Sequence, residues 1–184
     1  NIKQVSMAIG ADSRIGSKFL SAGPGFGGSC FQKDILNLVY LCQHFGLPKV
    51  ADYWQNVISI NDWQRDRIYQ NIVGKLFGNL QNKKIVILGF AFKANTNDTR
   101  ESSSISICKN LLKEGAKLFI HDPKVNEEDI KNELGFKNDN FDKLDESSNV
   151  YFCRNLHNSF IDSDAIVLLT DWEDYKNINW SEIS

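Results

Sequence analysis

The chain has 184 residues, of which 42% are hydrophobic and 24% are charged, and its formal net charge is −2 at pH 7. This size and composition suit a globular protein of one or two domains with an adequate core. The balance of charge gives no electrostatic footprint for nucleic acid, no apolar stretch is long enough for a membrane span, and no signal-peptide pattern is present, so the predicted location is the cytosol.

The cysteines and histidines predict neither a disulfide framework nor a metal site. The four cysteines are scattered without a CxxC pair, and the three histidines lack ligand spacing. Cys42 and Cys108 lie in apolar helical patterns, so we expect both in the core.

The first predicted elements are a helix and a connector. Apolar residues recur at helical spacing over residues 1–10 without an N-cap, so the beginning of this helix is expected to be missing from the chain. Residues 12–19 form the connector. Its charges Arg14 and Lys18 are either solvated or in contact with an anionic ligand.

Residues 21–34, SAGPGFGGSCFQKD, place a glycine-rich loop directly before an amphipathic helix that is expected to end near Gly46. Ser29 fits an N-cap and Gln32 lies three residues on, which is the spacing of a capping box. Cys30 would then be the first helical residue. Unpaired amide groups and the helix dipole favour a thiolate at that position.

Lys33 and Asp34 follow Cys30 by three and four residues, so the helix places them on the same face as the thiol. A lysine next to the sulfur favours the thiolate, and a carboxylate there could serve as a base. The pattern therefore favours a reactive cysteine. The alternative is a free cysteine that acts as a small hydrophobic residue at a helix end.

Gly23, Gly25 and Gly28 match the spacing GxGxxG. A dinucleotide-binding fingerprint requires a strand directly before such a loop. No strand is predicted there, so we reject that interpretation. The glycines would instead allow backbone amides to approach a ligand closely.

Residues 48–80 are predicted to form one long helix, because apolar side chains follow a broad stripe at spacings of three and four. Its middle is expected to be more exposed, since it carries Asp62, Arg65, Asp66 and Arg67. The length indicates a central strut along which subunits associate. The alternative is a helix that covers only its own domain.

Residues 78–83 are the predicted boundary, after which the periodicity changes. KKIVILG predicts a strand buried on both faces, a polar loop and a helix up to Gly115 follow, and KLFIHDP predicts a second strand. This βαβ unit implies parallel strands. Asp98, with Glu101 three residues later, is expected to cap the helix.

The carboxyl ends of these strands are the expected ligand crevice. Phe92 and Lys93 follow the first strand, where Lys93 could meet a phosphate and Phe92 could stack on a ring. The alternative for Lys93 is an exposed loop charge.

Residues 125–149 allow no reliable assignment. After them, a further α/β repeat is predicted from VYF, a capped segment over residues 155–161 and DAIVLLTDW. The end of the chain, like its beginning, is expected to be truncated.

The segments GPGFGGSCFQKD, GFAFKANTNDTRESSS and HDPKV, in this order, resemble the UDP-glucose dehydrogenase branch of the UDP-glucose/GDP-mannose dehydrogenase family. The resemblance covers nearly the whole chain and is weakest over residues 125–149. It implies an α/β protein with an all-helical central dimerisation domain over residues 1–79 and a Rossmann-like parallel UDP-binding domain over residues 80–184. It also implies a fragment, inactive alone, that lacks the family's NAD-binding domain and its carboxyl-terminal arginine.

By this resemblance, the complete enzyme oxidises UDP-glucose to UDP-glucuronate in two steps with NAD+. Cys30 is implied to be the nucleophile, through a thiohemiacetal and a thioester. Asp34 is implied to be the carboxylate that assists water activation or proton transfer.

The resemblance also implies ligand contacts. The implied substrate-binding residues are Arg14, which serves a neighbouring subunit, together with Phe19, Ser21, Ala22, Gly23, Pro24, Gly25, Phe26, Gly27, Phe92 and Lys93. The implied cofactor-binding residues are Cys30, Phe31, Gln32, Lys33 and Arg100. The implied partners are UDP-glucose and a second subunit. Two alternatives stay open: a non-catalytic dimerisation and nucleotide-sugar-binding module, or a relative that acts on GDP-mannose or an N-acetylated UDP-sugar.

Overall fold

The computed structural model describes residues 1–136 and 149–183. Its first part, which we call the helical region, contains α1 (Ile2–Gly10), α2 (Phe31–His44) and α3 (Pro48–Lys75). The Asn1 side chain caps α1 by accepting a hydrogen bond from the Lys3 amide at 2.9 Å. The sequence pattern showed no N-cap for this helix, and the asparagine supplies one.

The long helix α3 has 28 residues and ends earlier than the predicted residue 80. Phe77 has a φ of 58°, and the Gly78 amide donates to the Val73 carbonyl at 2.9 Å. This is the Schellman ending of a helix, in which a left-handed residue turns the chain back onto the last carbonyls. The apolar stripe continues past the turn in sequence, which is why periodicity alone extended the helix too far.

Helices α2 and α3 pack against each other around a small apolar cluster. Its buried members are Ile35, Val39, Cys42, Ala51 and Ile58. The burial of Cys42 confirms its prediction as a core residue.

The second part, which we call the sheet region, is built on four parallel strands in the order β3-β2-β1-β4. The strands are β1 (Lys84–Leu88), β2 (Lys117–His121), β3 (Val150–Phe152) and β4 (Ala165–Leu168). Strand β1 is central, and residues 85–88 are completely buried, as its continuous β-branched run predicts. The parallel βαβ prediction is confirmed.

The connecting helices are α4 (Ser103–Lys113), α5 (Glu127–Leu134), α6 (Leu156–Phe160) and α7 (Glu173–Lys176), and a 3₁₀ turn follows at Trp180–Glu182. Cys108 in α4 is fully buried, as predicted. Helix α5 lies in the stretch for which the sequence allowed no assignment. The rest of that stretch, residues 137–148, lies outside the described residues.

The predicted cap of α4 is wrong. Ser102 is the N-cap, and its hydroxyl accepts a hydrogen bond from the Ser104 amide at 3.3 Å. Asp98 instead pairs with Arg100, and Glu101 has a φ of 54°, which places it outside the helix. The spacing of a capping box was present, but the Ser102 hydroxyl lies nearer to the first helical turn than the Asp98 carboxylate.

Within the described ranges, no helix combines the length and apolar character that crossing a bilayer requires.

Candidate functional site

The site lies where the carboxyl ends of the strands meet the helical region. Strands β2 and β4 flank β1 on opposite sides, so the order of the strands in the sheet reverses at β1. In open α/β sheets this switch point is where ligands bind. Residues 89–93, which we call the β1 exit loop, leave the sheet at this point.

Asp122, just after β2, anchors the β1 exit loop. Its Oδ2 accepts hydrogen bonds from the amides of Phe90 at 2.7 Å and Ala91 at 3.0 Å, and from the Trp172 indole at 3.2 Å. Its Oδ1 accepts the amides of Lys124 and Val125, each at 2.9 Å. One carboxylate therefore joins the ends of β1 and β2 to the segment that follows β4.

Hydroxyl groups hold the carbonyl side of the same loop. Ser102 Oγ donates to the Phe90 carbonyl at 2.8 Å, and Thr170 Oγ1 donates to the Ala91 carbonyl at 2.7 Å. Gly89 has a φ of 91°, and a Cβ there would collide with Thr170, so this position requires glycine. The backbone of residues 89–91 is therefore fixed, and the next two side chains project from it.

Phe92 and Lys93 are those two side chains. Phe92 is half-buried and Lys93 is exposed, and the ammonium group lies 5.3 Å from the centre of the phenyl ring. A cation beside an aromatic face at the end of a parallel strand suits a ligand that carries both a ring and a negative charge.

The glycine-rich segment, residues 21–28, is the second wall of the site, and we call it the glycine loop. Asn61 of α3 accepts the Phe26 amide at 2.8 Å and donates to the Phe26 carbonyl at 3.1 Å. Gly25 has a φ of 133°, and a Cβ there would lie 2.7 Å from Asn61 Oδ1. The close contact with α3 therefore requires glycine at this position.

Arg65 of α3 corrects the prediction of an exposed helix middle. Its side chain is only 12% exposed, and Nη2 donates to the carbonyls of Phe26 at 2.8 Å and Glu101 at 2.9 Å. Asp62, Asp66 and Arg67 are exposed, as expected. The charge pattern could not separate Arg65 from these neighbours, because its partners are distant in sequence.

A cavity of about 1030 Å³ lies between the glycine loop, α3 and the β1 exit loop. This volume lies at the upper end of the range for ligand sites. Eight of the predicted ligand contacts line it: Phe19, Ser21, Gly25, Phe26, Gly27, Phe31, Phe92 and Lys93. Lys93 is thus exposed, but it is also a wall of the cavity.

The sequence did not single out several other residues that line the cavity. They come from α3 and are Val57, Ile60, Asn61 and Gln64. The apolar stripe of α3 explained Val57 as packing. The other three gave no signal in sequence beyond their positions on the helix.

The remaining predicted site residues lie outside the cavity lining. They are Arg14, Ala22, Gly23, Pro24, Cys30, Gln32, Lys33, Asp34 and Arg100. Arg14 is exposed and pairs with Asp12 through Nη2 and Oδ2 at 2.6 Å. Cys30 directly precedes Phe31, which does line the cavity.

Cys30 is exposed and is the N-cap of α2, so the predicted capping box is wrong by one position. Ser29 Oγ contacts the Cys30 sulfur at 3.6 Å and does not cap the helix. Gln32 Oε1 is buried without a hydrogen-bond partner and does not complete a capping box. The sulfur nevertheless sits at the amino end of a 14-residue helix, where amide groups point outward.

Arg100 lies between β1 and α4 and pairs with Asp98. Its guanidinium holds Asp98 through bonds of 2.9 and 2.7 Å, and this hydrogen bonding lowers the pKa of Asp98 below its usual value. The same hydrogen bonding raises the pKa of Arg100. The Arg100 carbonyl accepts the Gly28 amide at 2.8 Å, two residues before Cys30.

Fold and site define an α/β protein with a ligand cavity between a parallel sheet and a helical region. The family model described as the UDP binding domain of the UDP-glucose/GDP-mannose dehydrogenase family matches residues 86–184, and the model of the central domain matches residues 1–63. The chain therefore belongs to the UDP-glucose/GDP-mannose dehydrogenase family, which confirms the resemblance seen in the sequence.

Individual relatives agree with this family. The chain is 48% identical to UDP-glucose 6-dehydrogenase 4 of Arabidopsis thaliana, which it matches over 100% of its own length and 40% of the relative. It is 50% identical to UDP-glucose 6-dehydrogenase of Caenorhabditis elegans, over 99% of this chain and 37% of the relative. The solved structure of a UDP-glucose dehydrogenase from Pyrobaculum islandicum superimposes with a TM-score of 0.78 at 29% identity, and the match covers 96% of this chain and 37% of that one.

Proposed function

We propose that this chain is the thiol-bearing and nucleotide-sugar-binding part of an enzyme that oxidises UDP-glucose to UDP-glucuronate with NAD+ in two steps. The observation that carries the proposal is the cavity between the glycine loop and the β1 exit loop, next to an exposed cysteine at a helix start. The two relatives named above are both UDP-glucose 6-dehydrogenases, which favours UDP-glucose over GDP-mannose or an N-acetylated sugar.

The substrate is assigned to the two walls of the cavity. Lys93 offers an ammonium group to the diphosphate, and the Phe92 ring offers a face to the uracil. The sugar then lies along the glycine loop, where the Phe26 backbone is fixed by α3. Phe19 projects from the connector into the same space. Arg14, which is exposed, serves the site of a neighbouring subunit in this proposal.

The residues around Cys30 fit one edge of a nicotinamide site. Gln32 Oε1 is a buried acceptor without a partner, and Arg100 is an exposed cation whose carbonyl accepts the Gly28 amide, two residues before Cys30. Phe31, Gln32, Lys33 and Arg100 would hold the cofactor on this side. NAD+ supplies a hydride acceptor when it is bound.

Cys30 performs the covalent chemistry. In the first oxidation, the C6 alcohol of the sugar loses a hydride and a proton and becomes an aldehyde. The Cys30 thiolate adds to that carbonyl carbon, and the oxygen takes up a proton to give a thiohemiacetal. Loss of a second hydride and of the hydroxyl proton gives a thioester.

Hydrolysis then frees the enzyme. Water attacks the thioester carbon, the C–S bond breaks, and the products are the carboxylate and the Cys30 thiol. Asp34, in the first turn of α2, is the carboxylate that accepts a proton from this water.

The test is Cys30→Ser in the longest natural protein that contains this chain. We expect NADH and UDP-glucuronate formation to fall by about 10³-fold or more, because no thioester can form. Cys153→Ser is the matched control, since this cysteine is partly exposed but follows β3 in the sheet region. Full turnover by Cys30→Ser would exclude covalent catalysis.

The 184-residue chain alone is expected to form no NADH from UDP-glucose and NAD+. In the described part of the chain, no strand is followed by a GxGxxG loop, so a dinucleotide-binding fingerprint is missing there. NADH accumulation with the chain alone would contradict this expectation.

A non-catalytic assembly and binding module is the second candidate, and one observation favours it. Helix α3 carries an exposed apolar stripe along its length. The side chains in this stripe that are more than 40% exposed include Val50, Tyr53, Ile60 and Trp63. We propose self-association along this stripe and a domain boundary between residues 79 and 80. Sedimentation with and without UDP-glucose separates the roles, because a dimer without any response to the ligand would leave only assembly.

A further inference from the structure

Arg65 is the one side chain among the described residues that hydrogen-bonds to both the glycine loop and the start of α4. Its Nη2 donates to the carbonyls of Phe26 at 2.8 Å and Glu101 at 2.9 Å, and its Nε donates to Ser103 Oγ at 3.2 Å. These partners are separated from Arg65 by 36 to 39 residues in sequence. A single guanidinium from α3 therefore joins segments from both regions.

Neighbouring contacts make this junction continuous. Asn61 lies one helical turn before Arg65, is 5% exposed, and holds the same Phe26 backbone through two hydrogen bonds. The Gly28 amide donates to the Arg100 carbonyl at 2.8 Å. The backbone around residues 100 and 101 is thus bound both by the glycine loop directly and by Arg65.

The conformation of Glu101 shows that this junction requires support. Its φ of 54° is left-handed, a backbone conformation that is unfavourable for a residue with a side chain. Such a conformation persists only where surrounding contacts fix it. The hydrogen bond from Arg65 to the Glu101 carbonyl is one of those contacts.

We propose that Arg65 is a positioning residue that sets the distance between the glycine loop and the β1 exit loop, so that one nucleotide sugar contacts both. This inference rests on the proposed function, in which the sugar lies on the first loop and the uridine on the second. Arginine suits the task because its planar fork reaches two carbonyl oxygens and a hydroxyl at once, whereas lysine presents a single point charge.

The test compares Arg65→Met, Arg65→Lys and the control Arg67→Met in the full 184-residue chain. Arg67 lies on the same helix but is exposed, and its hydrogen bond goes to Gln64. Isothermal titration with UDP-glucose and with UMP measures the affinities. Amide exchange of Gly28, followed by NMR, measures the junction itself.

We expect Arg65→Met to weaken UDP-glucose binding about tenfold, since hydrogen bonds to a charged group are lost, and UMP binding by less than about threefold. Arg65→Lys should recover part of the UDP-glucose affinity, and Arg67→Met should bind both like the wild type. Gly28 exchange should accelerate in Arg65→Met and not in Arg67→Met. Equal losses for UDP-glucose and UMP would indicate a merely structural role and overturn the inference.

Failure of the proposed function gives a different result. If the wild-type chain binds neither UDP-glucose nor UMP, the proposed substrate is wrong, and Gly28 exchange then decides whether Arg65 joins the glycine loop to the start of α4. Unchanged exchange in Arg65→Met would overturn the inference. If Arg65→Met fails to fold by circular dichroism, Arg65→Lys carries the same comparison, and wild-type affinity and exchange in that variant would overturn it.

Discussion

The β1 exit loop and the glycine loop face the same cavity but are held in different ways. Side chains that follow β2 and β4 and one at the start of α4 hold the first loop, whose own residues Phe90 and Ala91 are buried. The second depends on polar side chains of one helix, chiefly Asn61 and Arg65. The sheet therefore provides a fixed platform for one part of a ligand, whereas the position of the loop that leads to Cys30 depends on a few hydrogen bonds.

The cores beneath the two loops should differ in the same direction, and this gives the largest expected effect. Ile87 in β1 is 0% exposed within the large core, whereas Ile58 in α3 is 8% exposed within the small cluster. We expect Ile87→Ala to lower the free energy of unfolding by about 4 kcal/mol and Ile58→Ala by about 2 kcal/mol. Urea unfolding of both variants measures this difference. An equal or reversed pair of values would contradict the contrast between the two regions.

Asp122→Asn tests whether the β1 exit loop depends on its carboxylate anchor. The amide replaces one oxygen and leaves buried N–H groups without an acceptor, so we expect a loss of about 3 kcal/mol in the free energy of unfolding. Urea unfolding again provides the measurement. Asp171→Asn is the control, because Asp171 is exposed near the same edge of the sheet. A loss no larger than that of the control would show that the hydroxyl contacts suffice.

His121 gives the smallest expected effect, which depends on pH. Burial lowers the pKa of His121, although the charges of Asp122 and Asp174 act in the opposite direction. Its ring nitrogen Nδ1 lies 3.0 Å from the buried Tyr175 hydroxyl. The folded state therefore binds the proton of His121 more weakly than the unfolded state does. The contribution of neutral His121 to the free energy of unfolding is complete above the unfolded-state pKa of about 6.5 and is lost as the pH falls through the folded-state pKa.

His121→Gln should therefore flatten the decrease in the free energy of unfolding below about pH 6.5. Urea unfolding at a series of pH values measures the slope. His157→Gln, at an exposed position of α6, should leave the wild-type slope unchanged. The same slope in His121→Gln as in the wild type would exclude His121 as its source.

Much of the sheet region could be predicted because its local patterns are unambiguous. The run KIVIL is β-branched and continuous, and this pattern is typical of a central parallel strand. The glycine loop and the pair Phe92 and Lys93 could be assigned to a ligand site from their positions in the sequence. The glycine loop directly precedes a predicted helix, and the pair follows the end of a predicted strand. Their meeting in one cavity was an implication of the family resemblance, and six residues of these two segments line the cavity in the structure.

Helix ends and the role of α3 could not be predicted in the same way. Ser29 and Asp98 both had the spacing of capping residues, but the helices begin after Cys30 and Ser102. Each end offered several polar side chains within three residues, and only the path of the backbone decides which one reaches the free amides. Arg65 was predicted to be exposed for a related reason, since charge on a helix usually marks a solvated face.

The sequence by itself determined the class of fold, the parallel strands, the glycine loop and the candidate thiol, because hydrophobic period and residue chemistry are local properties. The tertiary structure alone decided that Arg65 and Asn61 hold the glycine loop and that Asp122 holds the β1 exit loop. Those hydrogen bonds join residues more than 30 positions apart. Their partners are backbone groups that every residue carries, so only the packed chain determines which of these groups come together.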